Sequence, residues 1–124
     1  MQEHEKWLKI VELDLKSAKA LCKQEVFSNA VFYCQQRAEK ALKSYLVFKN
    51  QSIEEAYDLM MLVELCSQFD QTFEKLYDDA EYLNPLSTKF RYPTEFDMPD
   101  AQDTKDSIKR TKKIVDFVLK KISK

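Results

Sequence analysis

Residues 27–48 read FSNAVFYCQQRAEKALKSYLVF. Phe27, Val31, Cys34, Ala38, Ala41, Tyr45 and Phe48 recur at steps of four and three, the apolar seam of one long amphipathic helix. Phe32, Gln35, Glu39, Leu42 and Leu46 fall together on the same helical wheel, turned away from that seam. A helix with apolar surface on two sides is central to its fold and touches several neighbours. Gln35 and Glu39, embedded in the second face, are then partly buried structural polar groups that need partners.

Working outward, a first helix is predicted over Glu3 to Lys23, with Trp7, Val11, Asp14, Ala18 and Leu21 as its seam. Asp14 interrupts an otherwise apolar stripe. Either it sits solvated at the rim, or it holds a basic side chain from elsewhere. Gln24 to Phe27 is too short for anything but an antiparallel turn into the central helix, which Ser28 or its predecessors cap. That helix ends near Lys49, with Asn50 suited to a left-handed C-terminal conformation. Ser52 with Glu55 forms a capping box for a third helix whose seam is Ile53, Ala56, Met60 and Val63. A fourth runs from about Gln71 to Asn84 and stops at Pro85. Leu86 to Pro99, rich in aromatics and prolines, is read as an ordered loop lying on the bundle. Asp100 caps the last helix, with Ala101, Thr104, Ile108, Thr111, Val115, Val118 and Ile122 in its seam. The sum is one all-α domain over residues 1–124, an antiparallel up-and-down bundle of about five helices.

The chain has 124 residues and no glycine. That absence excludes a P-loop, a dinucleotide-binding glycine turn and a GxSxG nucleophile elbow, all of which need backbone that only glycine tolerates. The net charge of −1 gives no global field toward duplex DNA or an anionic membrane. No apolar signal core or bilayer-spanning run is present, so a cytoplasmic location is expected. Cys22, Cys34 and Cys66 read as core thiols. His4 is the only histidine. No Cys/His spacing suits a metal, and no cofactor is expected.

Two stretches together resemble the HEPN family. FYCQQRAEKALKSYL is similar to the second-helix signature of these domains, carried here by Phe32, Gln35, Gln36, Glu39, Lys40 and Lys43. About fifty residues on, LNPLSTKFRYP resembles their Arg-Tyr-Pro segment, here Arg91, Tyr92 and Pro93. Asp14 with Ala18 fits the first-helix pattern. The resemblance implies an up-and-down bundle, partnership with a minimal nucleotidyltransferase, and binding of nucleotide or RNA. It also includes ribonuclease toxins, which carry an Arg, four to six residues and a His near the last helix. No histidine follows Arg91 here, and Tyr57 stands where many members have a histidine before Asp-Leu. This departure argues against metal-free RNA cleavage, since no other side chain titrates near neutral pH without a large shift.

The candidate ligand-binding residues are Arg91, Tyr92, Lys89, Lys40, Lys43 and Gln36, with no catalytic residue. Arg offers a planar fork to phosphate and Tyr a face to a base. Arg91 and Tyr92 are equally readable as a latch holding the loop to the bundle. Arg91 is the cation expected to hold Asp14, with Lys40 and Lys43 competing. Tyr33, Val47, Met61 and Leu62 lie outside the main seams and suggest an apolar patch for a homodimer. The function read from all this is a non-catalytic nucleotide- or single-stranded-RNA-binding subunit beside a nucleotidyltransferase, in a toxin–antitoxin-like or defence system. A ribonuclease with an atypical site and a purely structural dimerisation module are the alternatives.

Overall fold

The computed structural model describes residues 1–53, 58–90 and 98–123. Among them are five α-helices and no strand: α1 (Glu3–Lys23), α2 (Phe27–Phe48), α3 (Leu59–Ser67), α4 (Tyr77–Leu83) and α5 (Ala101–Ile122). None is long and apolar enough to cross a membrane. α2 is the axis. It packs most extensively on α1, next on α5, and also meets α3 and α4. Burial follows from the two-sided pattern: Val31, Cys34, Ala38, Ala41, Leu42, Tyr45 and Leu46 are all inside. Phe73 stacks beside Tyr45 at 4.5 Å between ring centroids and edge-on to Phe117 at 5.0 Å, which ties the segment before α4 to both α2 and α5.

The helix ends show which local chemistry prevailed. Glu25 and Asn50 take left-handed backbone, with φ of 63° and 59°, and so reverse the chain after α1 and α2 without glycine. Val26, not Ser28, is the N-cap of α2, and no side chain caps that end. The third helix begins at Leu59 and not at Ser52. Asp58 caps it by accepting from the Met61 amide at 2.8 Å, and Asn84 Oδ1 accepts from the Leu59 amide at 3.0 Å. Two partners for its first amides fix the start there. Glu55 lies outside the described residues. The single fourth helix expected from residue 71 is broken. A 3-10 turn (Gln71–Leu76) precedes α4, and a second (Asn84–Ser87) carries Pro85 at its start. Asp100 and Asp103 form a capping box on α5, as the pattern required.

The apolar patch drawn for dimerisation is not a patch. Leu62 is fully buried, while Tyr33 packs against the core. The exposed large apolar side chains, among them Ile10, Leu13, Phe69 and Leu119, are scattered over several elements.

Candidate functional site

Asp14 is a paired buried carboxylate. Its side chain is 7% exposed, and Lys40 Nζ reaches Oδ2 at 2.9 Å. The competing partner therefore holds it, and Arg91 lies outside the described residues. Lys43 pairs with Glu39 at 3.2 Å and sits 5.9 Å from the centroid of the Trp7 ring. Gln36 donates to the buried Gln35 at 2.7 Å. Lys40 and Lys43 thus reach across from α2 to α1, while Gln35, Gln36 and Glu39 have partners within α2. Gln35 and Glu39 have the partners their burial demands.

A groove runs between α4 and α5. One end is a cavity of about 730 Å³ walled by Asp79, Tyr82, Arg110 and Lys113. The other is a cavity of about 500 Å³ walled by Val31, Tyr82, Leu86, Lys89 and Phe90. Tyr82 lines both, so the two hollows adjoin at its ring. The Arg110 guanidinium lies 4.4 Å from the Tyr82 centroid, within cation–π range. Asp79 sets that position. It is nearly buried, and its Oδ1 accepts from Arg110 at 3.3 Å. Its Oδ2 lies 3.3 Å from Lys113 Nζ without a hydrogen bond of good geometry. At the other end, Lys89 Nζ stands 5.2 Å from the Phe90 centroid. The groove carries both signs of charge; of its acids, Asp79 is paired as above and Asp116 with Lys112 at 2.6 Å.

The candidate residues named from sequence do not all meet here. Lys89 is on the groove. Phe90 and Met98, the neighbours in sequence of the stretch 91–97, both line its second cavity. Arg91 and Tyr92 lie outside the described residues. Gln36, Lys40 and Lys43 face the other way. Val31 lines the groove, and Lys40, nine residues on, is roughly half a turn around the helix. Tyr82, Asp79 and Arg110 were not singled out from sequence. Asp79 stands three after Leu76 and four before Leu83, an acidic residue at a seam spacing, and that was the available signal.

A second omission is Arg37. It sits three after Cys34 and four before Ala41, inside the apolar seam. It is 6% exposed, and its Nε and Nη1 have no hydrogen-bond partner among the described residues. Burial pulls its pKa down, opposed by the fields of Cys34, Asp116 and Asp14. It remains a cation at any working pH. Among the described residues no group of His, Cys, Asp and Glu is arranged to hold a metal. His4 packs edge-on to Phe48 at 5.0 Å. Phe48 is seventeen residues along α2 from Val31, roughly 25 Å from the groove.

The HEPN domain family model matches residues 4–122 of the chain. The chain belongs to the HEPN family. A crystal structure of a protein from Thermus thermophilus is similar with a TM-score of 0.81 at 25% identity, covering 98% of this chain and 99% of that one. That of an archaeal HEPN homologue is similar with a TM-score of 0.75 at 26% identity, covering 98% and 99%. No curated protein matches the chain. The HEPN fold explains why α2 is buried on so many sides.

Proposed function

We propose that this chain is a non-catalytic HEPN domain that binds nucleotide or single-stranded RNA in the α4–α5 groove, beside a nucleotidyltransferase partner in a toxin–antitoxin or defence pair. The observation that carries the reading is the Tyr82 ring, shared by two adjoining cavities and flanked by Arg110. An aromatic face beside cations takes a base by stacking and its phosphate by charge. Lys89 and Phe90 extend the same chemistry. Arg91 and Tyr92 follow Phe90 in the sequence and are proposed to contribute to the same binding. Duplex DNA does not fit the groove, because its charges are balanced.

Fluorescence anisotropy with a short labelled single-stranded RNA, competed by mononucleotides, tests this. Binding is expected to weaken about tenfold or more in Tyr82→Ala, the loss of one stacked base. It should weaken again in Lys89→Ala and become steeply salt-dependent. Absence of binding in wild-type protein at low salt would reject the proposal. Steady cleavage of the RNA would replace it with an enzymatic one. A homodimer is part of the proposal, and light scattering reads it against a monomer mass of 14.7 kDa.

A further inference from the structure

A third hollow, of about 390 Å³, lies between α1 and α5 and shares Asp116 with the first cavity of the groove. Leu8, Val11, Leu15, Val115 and Leu119 make its walls, and Arg37 reaches it from α2. Its size is that of a small-molecule site, and five apolar walls are joined by four charged residues, Glu12, Lys16 and Asp116 besides Arg37. We propose that this hollow binds a small organic anion, a carboxylate carried on an apolar body, with its head on the Arg37 guanidinium.

Three observations carry the assignment. Arg37 is nine-tenths buried, yet Nε and Nη1 have no hydrogen-bond acceptor among the described residues. Buried donors are otherwise nearly always satisfied. The nearby carboxylates are committed elsewhere: Asp14 to Lys40 at 2.9 Å and Asp116 to Lys112 at 2.6 Å. The fields of Asp116 and Asp14 offset part of its charge, but neither carboxylate bonds Nε or Nη1, and a ligand carboxylate meets the guanidinium with charge-assisted bonds. The walls discriminate between occupants. The leucine and valine side chains give water few partners on their side of the hollow. They suit an alkyl or aryl body, which gains by leaving water. Glu12 and Lys16 at the edge are exposed, and their opposed charges leave the mouth near neutral.

Octanoate, octanol and octylamine, titrated against the intact chain, separate the terms. Octanoate is expected to raise the melting temperature by on the order of 10 °C at a hundred times its Kd. Octanol and octylamine should do so little or not at all. Arg37→Met keeps the apolar volume and removes the charge, and its response to octanoate should be lost. In wild-type protein the Arg37 Nε–H resonance should move on adding octanoate, a readout that needs no variant to fold. Equal shifts with octanol, an unchanged response in Arg37→Met, or a resonance that does not move would each overturn the proposal. RNA binding in the groove is independent of all three readouts, so the two proposals fail separately.

Discussion

Lys40→Met and Asp14→Asn remove the two halves of one ion pair, and the structure predicts that they do unequal damage. The Asp14 side chain is 7% exposed and that of Lys40 22%. A lysine left alone at that depth extends its flexible stem and rehydrates the ammonium. A carboxylate left alone in the α1–α2 interface has no such route. Exposed pairs contribute about 0–1 kcal/mol, and stranding one member of a buried pair costs about 3–5 kcal/mol. Lys40→Met should approach the lower end of the second range, about 3 kcal/mol. Asp14→Asn should lie between the ranges, at about 1–2 kcal/mol, partly because Asp14 also helps to hold Arg37 charged. The double variant should cost less than the sum by about 1–2 kcal/mol. Urea unfolding followed by circular dichroism measures all four corners of the cycle. Free energies that add to within roughly 0.5 kcal/mol, or an Asp14→Asn loss larger than that of Lys40→Met, would refute the reasoning.

Asp70 is held well below the usual carboxylate range, first by a hydrogen bond from Lys121, then by the side chain and backbone of Thr72. Its folded pKa is depressed, so its stabilisation is complete above about pH 4 and fades as the pH falls further. Asp70→Asn should therefore flatten the stability profile below pH 4 and leave it parallel to wild type above; an unchanged acid limb would contradict this. Burial pushes the Cys34 and Cys66 thiols up to about 12, whereas Cys22 is only half-buried. A thiol reagent at pH 8 should label Cys22 alone in native protein and all three after unfolding, and rapid native labelling of three would count against the packing described.

The spacing of apolar residues at three and four positions was enough to find α1, α2 and α5, because each buries a continuous stripe. The region from Ser52 to Ser87 was harder. There, short helical pieces are set by tertiary partners such as Asn84 on the Leu59 amide, which no local pattern contains. The Ser52–Glu55 box drew the start of the third helix away from Asp58, which caps it. For the site, the polar residues of the QQ helix were conspicuous, and two of them, Lys40 and Lys43, reach across to α1. Tyr82 and Arg110 meet by stacking from helices twenty-eight positions apart in sequence, a contact that periodicity along one helix does not encode. Arg37 was legible in principle. A charged residue at a seam position is the same signal that drew attention to Asp14.

The left-handed turn at Glu25 bears on how the chain reaches its fold. Three residues separate α1 from α2, so their interface, the most extensive in the molecule, closes a short loop at small entropic cost. α5 docks onto α2 only after more than fifty intervening residues have been gathered in. The first two helices are thus the natural nucleus, and α5 is the late arrival that completes both the groove and the hollow around Arg37. Whatever binds at either place senses only the last stage of assembly, and a chain stalled with α5 undocked would keep its α1–α2 hairpin while having neither site.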